Sequence, residues 1–242
     1  MSFDASWLAL REPADGRARD AGLLQAFREA VPEGARVVDL GSGTGSTWRA
    51  VEDPTCCYDW ILTDHDEGLL AEAERRTGAA TRVVDLARSV EEVVEEAAAV
   101  TASALIDLVS AAWLERLASA CSGKVIYVAL NVDGDDEWRP AHYEDGAVEA
   151  AFARDMGRDK GFGPALGSRA GEALREILSE QWVVQTASSP WQLERGRDAA
   201  LIEALAVGTA RAAGASADWL AARRAAESVR IGHVDLLAIP KG

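Results

Sequence analysis

The sequence lacks the marks of several common protein classes. Its three cysteines are odd in number and form no Cys-x-x-Cys pair, so neither a disulfide framework nor a metal site is expected. The amino-terminal residues have no basic region and no apolar core, and no apolar stretch approaches the ~20 residues that span a membrane. These absences predict a cytoplasmic protein without a signal peptide and without a membrane partner.

Positive charge is also scarce. The chain of 242 residues carries 40 acidic and 25 basic residues, for a formal net charge of −15. Nucleic acids are bound mainly by clustered Lys and Arg, and no such cluster is present, so no nucleic-acid partner is expected. Apolar residues make up 48% of the chain, which is enough for a full hydrophobic core.

The most informative segment is residues 37–45, Val-Val-Asp-Leu-Gly-Ser-Gly-Thr-Gly. A β-branched run leads into Asp39, and glycines follow at 41, 43 and 45, before a possible helix at 46–51. This order predicts a buried strand, a tight turn whose missing side chains admit a ligand, and a helix amino terminus facing it. A strand-to-helix turn that binds nothing would have the same pattern.

Strand-length apolar runs alternate with helical patterns, which is typical of a doubly wound α/β sheet. We predict helices at 23–31, 67–77, 89–100 and 113–120. The predicted strands are 35–40, 58–63, 81–84, 105–110, 124–130, 182–186 and 233–239. The first five should be parallel and covered on both faces.

We expect a single domain over 1–242, with an amino-terminal cap and first helix at 1–34 and a cofactor-binding core at 35–130. Residues 131–180 are longer than a crossover needs and contain several aromatic residues, so they are predicted to be a lid over the substrate. Residues 181–242 supply the last strands and two Ala-rich helices.

In open α/β sheets, ligands bind beyond the carboxyl ends of the strands. Asp64 and His65 follow the second predicted strand, and Asp85 and Leu86 follow the third. The fourth predicted strand ends at Ser110 and is followed by Ala111, and these small side chains leave room for a ligand. A ring of carboxylates suits a cation better than the pyrophosphate of a dinucleotide.

These motifs resemble the class I S-adenosylmethionine-dependent methyltransferases. The resemblance rests on Asp39-x-Gly41-x-Gly43-x-Gly45, Asp64, Asp85-Leu86 and Asp107-Leu-Val-Ser110, in the family's order and spacing, and it is close over residues 20–130. It implies a seven-stranded, mainly parallel sheet whose last strand is antiparallel, S-adenosylmethionine as cofactor, and methyl transfer to a small molecule.

The resemblance also implies roles for individual residues. Gly41, Ser42 and Gly43 would lie against the methionine part, together with Ser110 and Ala111. Asp64 would hold the ribose diol with His65 beside the adenine, while Asp85 and the Leu86 amide would bind the adenine edge. Asp39 is expected to bind a part of the ligand that carries positive charge or hydroxyls, with a turn-capping role as the alternative. Asp66 is expected to cap the helix that follows it.

Two arginines near the amino terminus are further candidates. In related folds, an amino-terminal segment covers the cofactor, and an arginine there can pair with the cofactor carboxylate. Arg11 and Arg19 are placed for this role, and a plain surface charge is the alternative for each.

For deprotonation of the acceptor, His142 is the candidate general base, because an imidazole titrates near neutrality. Tyr143, Asp135 and Asp145 are alternates, and a structural role for His142 stays open. Trp138, Phe162 and Trp191 are candidates for an apolar wall around the acceptor.

Two other functions remain open at this point. The glycine turn could serve an NAD(P)-dependent oxidoreductase, or the chain could be a methyltransferase-like protein that binds the cofactor without catalysis. The acceptor atom is not specified by the sequence, and either a monomer or a homodimer fits it.

Overall fold

The computed structural model describes residues 4–52 and 57–241. Within them the main sheet has seven strands, which are β1 (Arg36–Leu40), β2 (Asp59–Asp64), β3 (Ala80–Val83), β4 (Ala99–Ser103), β5 (Val125–Val132), β7 (Trp182–Ser188) and β10 (His233–Pro240). A second, three-stranded sheet contains β6 (Glu137–Arg139), β8 (Trp191–Glu194) and β9 (Ser228–Ile231).

The helices alternate with these strands along the chain. They are α1 (Ala5–Ala18), α2 (Ala21–Ala30), α3 (Ser46–Val51), α4 (Glu67–Thr77), α5 (Leu86–Val94), α6 (Ala111–Ala120), α7 (Asp145–Met156), α8 (Ala170–Leu178), α9 (Arg195–Ala213) and α10 (Ala217–Arg224). Short 3₁₀ turns lie at Ile106–Leu108 and Gly167–Arg169. None of the helices in the described part of the chain is long and apolar enough to cross a membrane.

The strand order of the main sheet is β3-β2-β1-β4-β5-β10-β7. Strands β1 to β5 pair in parallel, whereas β10 runs antiparallel to both β5 and β7. The predicted doubly wound sheet with an antiparallel last strand is therefore confirmed. Because the order reverses between β1 and β4, the edge beyond these two strands is the switch point where ligands bind in such sheets.

Both faces of the sheet are covered, which explains why its central strands are continuously apolar. One buried cluster joins α5, α6 and α8 to the sheet, with Val90, Leu114 and Leu174 fully buried. The other includes Phe27 of α2 and Leu70 of α4. The sheet is thus held rigidly, and its carboxyl edge is free to form a site.

The position of the fourth strand was predicted wrongly. Residues 105–110 contain a 3₁₀ turn at Ile106–Leu108, and β4 lies earlier, at Ala99–Ser103. Helix α5 ends at Val94, so the helix predicted at 89–100 is also too long. Alanines at 97–99 continue the helical pattern of α5, but β4 lies between β1 and β5, and tertiary pairing overrides the local preference.

The segment expected to be a lid contributes to several parts of the fold. Strand β6 pairs with β9 in the second sheet, helix α7 packs against α9, and α8 packs on the main sheet. The two predicted Ala-rich helices before the last strand are confirmed as α9 and α10. Of the three cysteines, Cys121 is buried, Cys57 is exposed, and Cys56 lies outside the described residues.

Candidate active site

A cavity of about 660 Å³ opens at the carboxyl edge of β1, β2 and β4, at the switch point of the sheet. Its size lies in the usual range for small-molecule and cofactor sites. The cavity is lined by the ends of the strands and the loops that follow them, at residues 41–44, 64–65, 84–88 and 103–105. Helix α1 adds Leu8, Arg11 and Asp15 to the lining.

The glycine turn approaches its surroundings too closely for side chains. Gly41 and Gly43 have positive φ values of 63° and 53°. A Cβ on Gly43 would lie 2.9 Å from Leu8 Cδ1, and one on Gly41 would lie 3.3 Å from Leu105 Cδ1. Between them the buried Ser42 hydroxyl has no hydrogen-bond partner among the described residues. The turn therefore brings its backbone to the cavity wall and holds one buried, unpaired hydroxyl.

Asp64 is the carboxylate that holds this turn in place. One oxygen accepts from the Gly43 amide at 2.9 Å, and the other accepts from the Asp66 amide at 3.1 Å. His65 Nδ1 lies 3.0 Å from the second oxygen, with its ring largely exposed at the cavity rim. Asp66 caps α4 by accepting from the Gly68 and Leu69 amides, as predicted.

Asp85 and Leu86 lie at the opening of α5 and line the same cavity. The Asp85 carboxylate caps the helix by accepting from the Ala87 amide at 3.1 Å, and its side chain is 58% exposed. Leu86 is the first residue of α5, a position whose amide has no partner within the helix. The buried indole of Trp113 donates to the Leu86 carbonyl at 2.8 Å and fixes this corner.

The shift of β4 changes which small residues reach the cavity. Ser103 is the last residue of β4, Ala104 follows it, and both line the site. Ser110 caps α6 and Ala111 is exposed on that helix, and neither belongs to the cavity lining. The physical reason is the turn at 106–108, which carries the chain away from the sheet edge before α6 begins.

Asp39 is completely buried and lies behind the cavity wall. One carboxylate oxygen accepts from the Thr101 hydroxyl at 2.7 Å, and the other has no partner in the described structure. Burial raises the pKa of Asp39 to about 7, although the hydrogen bond from Thr101 and the charge of Arg19 oppose the shift. A proton or a nearby positive charge therefore stabilises this carboxyl.

Neither candidate arginine is a plain surface charge. Arg19 is buried and donates to the Ser103 hydroxyl at 2.9 Å, while its Nη1 has no hydrogen-bond partner among the described residues. Arg11 lines the cavity, pairs with Asp15 through two bonds of 2.9 and 3.1 Å, and lies 4.9 Å from the Trp191 ring centroid. Both are thus held rigidly, but only Arg11 reaches the cavity wall.

His142 and its alternates lie away from this cavity. The ring contacts Tyr143, and Nε2 lies 3.4 Å from the Asp218 carboxylate of α10. Tyr143 is exposed, and Asp135 pairs with Arg230 of β9. The base expected at His142 is therefore not brought to the cavity, because its segment joins the second sheet and the carboxyl-terminal helices.

A second cavity of about 560 Å³ lies beside β6 and α7. Asp145, Trp138 and Trp219 line it, and the Trp219 indole donates to Asp145 at 2.8 Å. Asp136 also lines it, and burial raises the pKa of its carboxyl to about 6. Of the predicted aromatic wall, only Phe162 reaches the first cavity.

Solved structures share this fold. A geranyl diphosphate methyltransferase in complex with SAM is 15% identical, with a TM-score of 0.51 over 91% of this chain and 84% of that chain. The Streptomyces coelicolor A3(2) geranyl diphosphate C-methyltransferase, solved with S-adenosyl-L-homocysteine, is 11% identical, with a TM-score of 0.50 over 91% and 80%. YcgJ from Bacillus subtilis is 11% identical, with a TM-score of 0.54 over 92% and 100%.

The comparison with protein-family models gave no match, and neither did the comparison with curated proteins. At identities this low, likeness to solved structures shows the fold alone. The chain has the fold of the class I S-adenosylmethionine-dependent methyltransferases.

Proposed function

We propose that this protein binds S-adenosylmethionine in the first cavity and transfers its methyl group to a small molecule. The observation that carries the proposal is the convergence of three features on one cavity at the switch point. These are the glycine turn at 41–44, the carboxylates Asp64 and Asp85 at successive positions along the sheet edge, and Arg11 above them.

The residues present fit this cofactor. The glycine turn brings its backbone to the cavity wall, where the methionine part can lie against it, and Leu8 and Leu105 fill the positions that side chains at Gly43 and Gly41 would take. Asp64 has its carboxylate at the wall, where it can accept from the two ribose hydroxyls. Asp85 and the Leu86 amide offer an acceptor and a donor, which match the exocyclic amine and a ring nitrogen of adenine.

The charged groups around the cavity support the same orientation of the cofactor. The Arg11 guanidinium, fixed by Asp15, is placed to bind the cofactor carboxylate, and the cofactor ammonium and sulfonium add positive charge near buried Asp39. An acidic residue at the end of the second strand also binds the ribose in dinucleotide sites, so Asp64 does not separate the two cofactors. The NAD(P) alternative is disfavoured by Asp85 and Leu86 at the cavity wall, a pair that a dinucleotide site does not require.

The bound cofactor supplies an electrophilic methyl group on a positively charged sulfur. The protein's contribution is to hold that methyl in line with the acceptor and to exclude water. Leu8 and Leu105 supply apolar wall on two sides of the glycine turn, and the 160–162 turn adds Phe162, which packs edge-on against Trp113 at 5.6 Å. The acceptor then approaches between α1 and the end of β4.

The test is a methyl-transfer assay with S-adenosylmethionine labelled at the methyl group. A panel of small hydroxyl, amine, thiol and activated-carbon compounds is incubated with the protein, and the labelled products are identified by mass spectrometry. We expect label to appear in at least one compound, with release of S-adenosylhomocysteine. Cofactor binding without transfer to any compound class would favour the non-catalytic alternative.

A further inference from the structure

An aromatic side chain at the wall of the first cavity has no ligand contact assigned to it so far. Phe162 lines this cavity and is half-buried, so part of its ring is accessible from the space where the cofactor is proposed to lie. Lys160 and Gly161, which precede it, line the same cavity. This turn therefore brings the segment between β5 and β7 to the cofactor site.

The ring lies at the corner of the cavity where the adenine is proposed to bind. It packs edge-on against Trp113, with the ring centroids 5.6 Å apart and the planes at 85°. The Trp113 indole in turn donates to the Leu86 carbonyl at 2.8 Å. Phe162 is thus connected through one side chain to Leu86, which is proposed with Asp85 to bind the polar edge of the base.

The turn that carries this ring is fixed by its own hydrogen bonds. The Asp159 carboxylate accepts from the Gly161 amide at 2.7 Å and from the Gly163 amide at 3.0 Å. Both glycines have positive φ values, of 105° and 85°, which glycine adopts without strain. The Lys160 ammonium donates to the Asp155 carbonyl at 3.1 Å. A ring held in this way loses little conformational freedom when a ligand packs against it.

We propose that Phe162 packs against the face of the adenine ring and so fixes the base end of the cofactor in the cavity. The proposal rests on the proposed function. Asp85 and the Leu86 amide can satisfy the polar edge of adenine, but the flat faces of the base need an apolar partner to be removed from water. An aromatic side chain is such a partner, because every base presents a π-face on which it can stack.

Contact with the acceptor is the other role open to this ring. In the proposed orientation, the acceptor reaches the sulfonium methyl between α1 and the end of β4. Phe162 instead contacts α6 through Trp113, and a Cβ on the neighbouring Gly163 would lie 3.3 Å from the Cβ of Ser110, the cap of that helix. The ring is therefore on the side of the cavity formed by α5 and α6, where the base is proposed to lie.

The test is isothermal titration of S-adenosylhomocysteine and of adenosine into the parent protein and three variants. In Phe162→Ala we expect the dissociation constants of both ligands to rise about 10-fold or more, because both carry the base. Phe162→Tyr keeps the ring and should bind both ligands about as tightly as the parent. Phe152 is the matched control, since it is also half-buried but lines the second cavity, and Phe152→Ala should bind both ligands as the parent does.

Fluorine NMR reports on the contact itself. The chain has four phenylalanines, so labelling with 4-fluorophenylalanine gives few signals, and those of Phe162 and Phe152 are assigned by their loss in the two alanine variants. Adenosine should shift the Phe162 signal, because the ring current of a stacked base acts on nearby nuclei, and should leave the Phe152 signal in place. A Phe162 ring that only supports Trp113 would show no such difference.

Failure of this inference differs from failure of the proposed function. If the parent binds S-adenosylhomocysteine and Phe162→Ala binds it equally well, the inference is wrong and the cofactor site stands. A loss of S-adenosylhomocysteine affinity in Phe162→Ala with adenosine affinity unchanged would also overturn it, because the contact would then lie outside the base. A parent protein that does not bind S-adenosylhomocysteine would refute the proposed function and this inference with it.

Discussion

Replacing Asp64 tests the ribose-binding half of the site. If the Asp64 carboxylate accepts from both ribose hydroxyls, Asp64→Ala removes two charge-assisted hydrogen bonds, at a cost of about 2–4 kcal/mol in binding free energy. That loss corresponds to a rise of about 30- to 700-fold in the dissociation constant. The measurement is isothermal titration of S-adenosylhomocysteine into the parent and variant proteins.

The structure adds a second consequence of the same change. Asp64 also accepts from the Gly43 amide at 2.9 Å, so the alanine variant leaves that amide unpaired, at about 1 kcal/mol of stability. The matched control is Asp66→Ala, two residues on, which removes the cap of α4. It should cost about 1 kcal/mol of stability as well, but little affinity. Equal affinities in the parent and in Asp64→Ala would refute the assignment of Asp64 to the ribose.

Three further variants probe the surroundings of the cavity. Because the pKa of Asp39 is raised to about 7 in the folded protein, the folded state binds more protons than the unfolded state between about pH 4 and 7. The free energy of unfolding of the parent should therefore fall relative to Asp39→Asn as pH rises through that window, and parallel urea-denaturation curves at all pH values would contradict this. Arg11→Leu should weaken S-adenosylhomocysteine binding about tenfold or more by removing a charged partner of its carboxylate, whereas adenosine, which has no carboxylate, should bind both proteins equally. His142→Ala should leave cofactor affinity unchanged and lower only the melting temperature, since the ring lies against Tyr143 and Asp218, outside the cavity; a large loss of affinity would contradict that position.

Local patterns were sufficient to predict the first half of the sheet. The β-branched run before Asp39 and the glycines after it define β1 and its turn, and Gly41 and Gly43 adopt positive φ values that glycine reaches without strain. Asp66 was predicted as the cap of α4 because Asp followed by a helical run is a strong local signal, and its side chain does accept from two helix amides.

The errors come from tertiary contacts that leave little trace in sequence. Strand β4 is five small or β-branched residues behind an alanine run, and it is a strand because β1 and β5 pair with it on both sides. Strands β6, β8 and β9 have only three or four residues each, too short for a clear alternation. Missing that sheet placed His142 in a lid, whereas the chain there belongs to the second sheet and its helices.

The polar residues at the site also divide into those that local sequence predicts and those whose position depends on tertiary contacts. Asp64 and Asp85 follow strand-like runs directly, and their place at the sheet edge can be predicted from sequence alone. The position of Arg11 depends on its contacts with Asp15 and Trp191, which are 4 and 180 residues away along the chain. The only local signal for that pair was an acidic residue four positions after a basic one in a helix.

The most direct test of cofactor identity is a calorimetric titration of four ligands into the parent protein. We expect S-adenosylmethionine and S-adenosylhomocysteine to bind in the micromolar range, and NAD and NADP to give no comparable heat. Tight binding of NAD or NADP with none of either sulfur compound would contradict the assignment of this cavity to S-adenosylmethionine.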